Sequence, residues 1–210
     1  MQKIVIFDMD GTLIDSKKDM TISVNYVREL NYGLPPLSEE YIVDAINKEM
    51  RNLSKLFYNT EIYEKRDKKL FEEHYQQQCI EHPYLYEGVK EMLEVLVQME
   101  VKLSVATNAP TQFAITMLEH LKVANMFDII IGADKVKASK PSPEMIHKIL
   151  DFYQYNKLQD KAWMIGDNSK DILSAENAGI KAMFAAWGFS THGTHSVTIN
   201  SPKEIIETVL

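Results

Sequence analysis

Ile4-Val5-Ile6-Phe7-Asp8-Met9-Asp10-Gly11-Thr12 is the stretch from which the rest of the chain is read. Four apolar residues run without alternation and then stop on two aspartates and a glycine. A short continuous apolar run of this kind is a strand buried on both faces, the habit of parallel sheets. Comparable runs recur at Lys102–Ala106, Asp128–Ile131, Ala162–Ile165 and Lys181–Ala185. Helical spacing fills the gaps between them: Val89, Met92, Leu93, Leu96 and Val97; Phe113, Met117, Leu118 and Leu121; Met145, Ile149 and Phe152. Strand–helix alternation predicts an α/β fold with a doubly wound, Rossmann-like parallel sheet.

From Ser16 to His82 no comparable strand run occurs. Met20, Val24, Val27 and Leu30 mark a helix that Gly33 and Pro35-Pro36 end. Ser38 is placed to cap the next, and Leu53, Leu56 and Phe57 mark another. Residues 62–81 read as one long charged helix, and the mixed signs of 61–73 predict a solvated face. Pro83 and Gly88 mark the return to the sheet. The expected organisation is therefore a core domain of residues 1–15 and 83–210, with an all-helical domain of residues 16–82 inserted into it.

Composition excludes several classes. Of 210 residues, 45% are hydrophobic and 25% charged, values of an ordinary globular chain. A net charge of -7 argues against nucleic acid as a partner, because a sequence-independent grip needs a basic face. No run approaches the ~20 apolar residues of a membrane span, and Asp8 cuts the N-terminal apolar run short of a secretory leader. Cys79 is the sole cysteine, which fits a reducing compartment. The expectation is a cytoplasmic protein without nucleic-acid or membrane partners.

The residues that follow each strand carry the chemistry, because open α/β sheets bind ligands beyond the carboxyl ends of their strands. Asp8 and Asp10 follow the first run, Thr107-Asn108 the second, and Gly166-Asp167 with Asp171 the fourth. Carboxylates gathered at one crevice repel one another unless a cation joins them. An oxygen-only donor set without His or Cys points to Mg²⁺. Strand alternation places Asp8 and Asp10 on one side, one to attack and the other to handle protons. Asp167 and Asp171, four apart, share a helix face if a helix begins near Asn168. Lys140 stands ahead of a helix N-terminus, against the macrodipole, which implies an anionic partner. Thr107 and Asn108 offer donors to phosphate oxygens. His192 and His195, with no carboxylate or thiol close in sequence, read as a solvated loop pair.

In this order the residues resemble the haloacid dehalogenase superfamily. Its four motifs match Asp8-Met9-Asp10-Gly11-Thr12-Leu13-Ile14-Asp15-Ser16, Thr107-Asn108, Lys140-Pro141-Ser142-Pro143, and Gly166-Asp167 with Asp171. Ala178-Gly179-Ile180 and Trp187-Gly188 make the likeness greatest to the phosphoglycolate-phosphatase-like branch. The resemblance covers nearly the whole chain, since the family also places a helical cap after its first motif.

The resemblance implies a phosphatase for a small phosphorylated metabolite, either phosphoglycolate-like or a sugar phosphate. Asp8 becomes the nucleophile that forms an aspartyl phosphate, and Asp10 the acid and base. Mg²⁺ is held by Asp8, the main-chain carbonyl of Asp10, and Asp167, with Asp171 close by. Thr107, Asn108 and Lys140 bind the transferring phosphoryl group. Asn47, Lys48 and Arg51 lie where related caps approach the leaving group, which makes Lys48 and Arg51 the candidate specificity residues. A sugar-phosphate mutase, a pyrophosphatase, a cap-lysine Schiff base on Lys48 or Lys55, and a non-catalytic regulatory protein are the competing implications. Asp10 argues against carbon–halogen chemistry, and Gly166 with Asp171 against a mutase.

Overall fold

The computed structural model describes residues 1–48, 52–190 and 197–210. In chain order its strands and α-helices are β1 (Lys3–Phe7), β2 (Ile14–Asp15), α1 (Lys17–Tyr32), α2 (Glu39–Asn47), α3 (Leu53–Tyr58), α4 (Lys65–Gln78), β3 (Tyr84–Leu85), α5 (Val89–Gln98), β4 (Lys102–Thr107), α6 (Thr111–His120), β5 (Ile129–Gly132), α7 (Glu144–Phe152), β6 (Lys161–Gly166), α8 (Ser169–Ala178), β7 (Lys181–Ala185), β8 (Thr198–Ile199) and α9 (Pro202–Val209). The chain divides into one unit of Met1–Asp15 with Leu85–Leu210 and another of Ser16–Tyr84.

In the first unit six parallel strands form one sheet, in the order β5-β4-β1-β6-β7-β8. This is the α/β class that the apolar runs predict. β1 takes a central place because Ile4, Val5, Ile6 and Phe7 are all wholly buried. Each such isoleucine contributes about 1.5–3 kcal/mol by leaving water. From β1 the chain steps through β4 to β5 on one side, then returns through β6 to β7 and β8 on the other. The order reverses at β1, so the carboxyl ends of β1 and β6 flank the ligand crevice that such a reversal creates. Ile4, Ile6, Ala106 and Met164 pack with Met145, Ile146 and Ile149 of α7 and Ala175 of α8. α5 packs on β4 and on α9.

Two apolar stripes end one residue from where spacing places them. Val97 is exposed, because the face of α5 is complete with Val89, Met92, Leu93 and Leu96. Phe152 is 53% exposed and Tyr153 is buried instead. Tyr153 fills the inner position because its hydroxyl finds partners there: Ser104 Oγ at 2.7 Å, the Leu103 carbonyl at 3.0 Å and Asp128 Oδ2 at 3.0 Å. β8 escapes sequence reading because two residues make no run.

The second unit is all helical among its described residues up to Tyr84. Val24, Val27, Ile42, Ala45, Phe57 and Tyr58 form its core. Leu30, expected in that stripe, is 58% exposed, since Val24 and Val27 already fill the inner face of α1. Ser38 caps α2 as expected, its side chain accepting from Tyr41 N. α4 begins at Lys65 and ends at Gln78, shorter than the expected 62–81, and Cys79 caps it, buried. The charged stretch is also not uniformly solvated. Asp67 is wholly buried, accepting from Tyr32 Oη at 2.6 Å and Asn31 Nδ2 at 2.7 Å. Asp19 is buried too, and accepts from His82 N at 2.9 Å and Gln78 Nε2 at 2.8 Å.

Candidate active site

Phe7 of β1 pairs with Ile165 of β6, and the ladder continues as Asp8 N donates to the Ile165 carbonyl at 2.8 Å. Asp8 and Asp167 therefore leave the sheet from adjacent strands. One carboxylate oxygen from each of Asp8, Asp167 and Asp171 lies within 4.8 Å of the others.

Asp167 and Asp171 converge, but not as neighbours on a helix face. Asn168 is extended (φ -126°, ψ 150°) and caps α8, so Asp167 lies outside the helix. Asp171 sits at the third helical position and completes a capping box, its Oδ2 accepting from Asn168 N at 3.0 Å. Its other oxygen, Oδ1, lies 2.6 Å from Lys140 Nζ. One carboxylate thus caps a helix and faces the cluster at once.

Lys140 is buried and bridges two members of the cluster, with Nζ 2.8 Å from Asp8 Oδ1 as well. The anionic partners implied by its unfavourable helix-terminal position are these two carboxylates. The loop that carries it is tied down repeatedly. Asn108 Oδ1 accepts from Lys140 N at 3.0 Å and Asn108 Nδ2 donates to the Lys140 carbonyl at 3.2 Å. Asn177 Nδ2 donates to the Pro141 carbonyl at 3.2 Å, and Glu144 accepts from Lys137 N and Ala138 N. Asn108, expected as a donor to phosphate, is thus engaged with the main chain of Lys140. Thr107 is buried beside it, its hydroxyl accepting from Ala109 N at 3.0 Å.

Charge and burial conflict here. Burial pushes the Asp167 carboxyl up to about 8, helped by the neighbouring charges of Asp8 and Asp171. Burial and the charge of Asp8 likewise raise Asp171, against the pull of Lys140. Burial alone would lower Lys140, but the charges of Asp171 and Asp8 outweigh it and hold the ammonium firmly protonated. One lysine does not neutralise three close carboxylates. An oxygen-only set that resists full ionisation fits a hard divalent cation, which removes the repulsion without needing soft ligands. Asp8 is the least buried of the three, with a side chain 13% exposed.

Asp10 follows a different geometry from the one strand alternation suggests. β1 ends at Phe7, and Asp10 lies in a turn where its main chain bridges to Ile14. Gly11 makes that turn possible at φ 86°, and a Cβ there would come within 2.4 Å of Asp167 Oδ2. Sequence reading passed over how Asp167 is held: Thr12 Oγ1 donates to its Oδ1 at 3.1 Å, and the amides of Phe189 and Ser190 donate to its Oδ2 at 2.7 and 3.3 Å. The backbone donors leave no mark in residue type, so for them only the glycine before them, Gly188, offered a signal, while Thr12 stood in the first motif without a partner assigned to it. In the helical unit Lys48 is exposed at the end of α2. Arg51, His192 and His195 lie outside the described residues.

The family model for haloacid dehalogenase-like hydrolases matches residues 5–185. The chain belongs to this family. Among relatives of this hydrolase, phosphoglycolate phosphatase of Vibrio parahaemolyticus is 29% identical over 219 residues, covering 99% of this chain and 92% of the relative. The Vibrio cholerae enzyme of the same name is 32% identical, covering 91% and 87%. N-acetylmuramic acid 6-phosphate phosphatase of Pseudomonas aeruginosa is 28% identical, covering 98% and 93%. The fold matches a haloacid dehalogenase-like hydrolase from Streptococcus pneumoniae with TM-score 0.81 at 22% identity, covering 100% of this chain and 99% of that one. With these relatives the hydrolase is an enzyme of the phosphatase kind, which overturns the reading of a non-catalytic protein keeping the fold.

Proposed function

We propose that this hydrolase is a Mg²⁺-dependent phosphatase acting on a small phosphate monoester, with Asp8 as nucleophile. The observation that carries the reading is Asp8 itself: the most open carboxylate of a buried trio, 2.8 Å from a lysine that stays charged. In the first step an Asp8 oxygen attacks phosphorus and the bond to the ester oxygen breaks, while Asp10 delivers a proton to the leaving oxygen. In the second step Asp10 takes a proton from water, whose oxygen attacks phosphorus. The phosphorus–Asp8 bond then breaks, which restores the carboxylate and frees inorganic phosphate.

Lys140 offsets charge on the transferring phosphoryl group, and the Thr107 hydroxyl donates to it. Asn108 contributes by holding Lys140. Such reactions depend on positioning and charge neutralisation more than on covalent chemistry by the protein. Mg²⁺ fits Asp8, Asp167, Asp171 and the main-chain carbonyl of Asp10, and when bound it supplies positive charge that neutralises the phosphoryl oxygens. The names of the relatives favour phosphoglycolate or a sugar phosphate as substrate. The helical domain expected at residues 16–82, with Lys48 and Arg51, is the part proposed to choose among them.

The test is release of phosphate from p-nitrophenyl phosphate and from a panel of phosphoglycolate, hexose phosphates, N-acetylmuramic acid 6-phosphate and pyrophosphate. Turnover is expected to require added Mg²⁺ and to vanish in Asp8→Asn. Equal turnover by folded Asp8→Asn would remove Asp8 as nucleophile. Isomerisation of a hexose 1-phosphate without phosphate release would establish a mutase instead.

A further inference from the structure

We infer that Trp187-Gly188-Phe189-Ser190 is the positioning element that aims Asp167 at the divalent cation, an inference that rests on the metal-dependent phosphatase reading above. Asp167 is packed between two backbone segments with no room for a side chain on either side. A Cβ on Gly11 would come within 2.4 Å of Asp167 Oδ2. One on Gly188 would lie 2.3 Å from the Asp167 Cβ and 2.2 Å from the Gly11 carbonyl oxygen. Gly188 is therefore required by space: it lets the segment press on Asp167 and on the turn after β1 together.

The same segment holds both by hydrogen bonds. Phe189 N and Ser190 N donate to Asp167 Oδ2 at 2.7 and 3.3 Å, which ties down one oxygen of the carboxylate. Thr12 Oγ1 donates to the other at 3.1 Å. Trp187 Nε1 donates to the Thr12 carbonyl at 3.0 Å, so the residue that braces Asp167 from the far side is itself gripped by the segment. Rotation of the carboxylate breaks bonds at both oxygens. Partners of this sort, behind a ligand rather than on the metal, set ligand orientation and hence metal affinity. The amides of Phe189 and Ser190 survive side-chain replacement, so the segment is tested through Gly188 and Trp187.

The experiment is calorimetric titration of Mg²⁺ into the wild-type protein, Gly188→Ala and Trp187→Phe without substrate, alongside thermal melts in EDTA. Gly188→Ala is expected to weaken Mg²⁺ binding about tenfold or more, the range found for such supporting groups, and Trp187→Phe, which acts one step further back through Thr12, about threefold to tenfold. Hydrolysis of p-nitrophenyl phosphate by both variants then recovers as Mg²⁺ is raised, assayed at a temperature where the melts in EDTA show both variants fully folded, so that Mg²⁺-driven refolding does not contribute. Wild-type Mg²⁺ affinity in both variants overturns the inference, even if their melting points in EDTA fall, because that pattern marks a purely structural segment. If Gly188→Ala does not fold, Trp187→Phe decides alone by the same criterion. Absence of Mg²⁺ binding by the wild-type protein is a separate outcome, which overturns the metal-dependent reading and this inference with it.

Discussion

Asn108 grips Lys140 by the main chain from both sides, accepting from its N–H at 3.0 Å and donating to its carbonyl at 3.2 Å. The pair joins the end of β4 to the loop that delivers the ammonium to Asp8. Asn108→Ala removes both bonds and frees the loop to shift. A displacement of about 1 Å at a charged group can cost on the order of 100-fold in rate. The expected result is a fall in kcat of roughly 10- to 100-fold with KM changed far less, because the loss is of positioning rather than of uniform substrate binding. Steady-state kinetics at saturating Mg²⁺ measures the split. A rise in KM with kcat intact would instead make Asn108 a direct phosphate ligand.

Lys140 is expected to stabilise the fold as well as the proposed reaction. It lies buried between Asp8 and Asp171, so Lys140→Met leaves two carboxylates without their cation. Removing one partner of a buried pair costs about 3–5 kcal/mol. The expected cost is at the lower end, because Asp171 can take up a proton once the lysine is gone. Urea unfolding in EDTA measures it. The double variant Lys140→Met with Asp171→Asn is expected to regain part of the loss, and strict additivity of the two changes would show that the pair is not coupled.

The sheet was legible because buried parallel strands are continuous apolar runs, and Ile4–Phe7 is one of them. β8 was not, because Thr198-Ile199 is only two residues long and makes no apolar run. Asp8, Asp167, Asp171 and Lys140 stood out by residue type and by their places after strands. Their pairing did not, since nothing local in Asn168–Asp171 records that Asp171 turns one oxygen to its own helix and the other to Lys140. Asp67 shows the same limit in reverse: within a charged helix, burial depends on Tyr32 and Asn31, which lie on another helix. Periodicity sees faces, and it does not see partners.

Asp134 holds the start of α6, the helix that follows Thr107 and Asn108. Its Oδ1 accepts from Thr111 N at 2.6 Å and Thr111 Oγ1 at 2.7 Å. Burial works to raise its pKa, but these hydrogen bonds outweigh it and hold the carboxyl below the usual range. A carboxyl lowered on folding adds stability above its unfolded pKa, and that stability is lost as pH falls through the folded value. Asp134→Asn is expected to cost about 0.5–1 kcal/mol at neutral pH, a modest figure because water screens the partly exposed group. The gap between variant and wild type should begin to close below about pH 4 and disappear only once pH has fallen through the lowered folded value. Urea unfolding across that range checks it, and a gap that persists in acid would assign the effect to lost geometry rather than charge.

Asp167 is expected to carry opposite signs of stability with and without metal. In EDTA it is a buried carboxyl pushed up to about 8, by burial first and then by the charges of Asp8 and Asp171. Asp167→Asn removes that repulsion and keeps an acceptor for the amides of Phe189 and Ser190, while the Thr12 hydroxyl can turn to accept from the new amide. The variant is therefore expected to be about 1–2 kcal/mol more stable than wild type in EDTA. With Mg²⁺ at 100 times its dissociation constant, wild type gains about 2.7 kcal/mol by linkage. Asp167→Asn loses most of that gain along with a ligand, so the order of the two proteins reverses. Urea unfolding in EDTA and in saturating Mg²⁺ gives all four values. A variant less stable than wild type in EDTA would mean that the hydrogen bonds to Asp167 outweigh the repulsion, and that the three carboxylates are tolerated together without a cation.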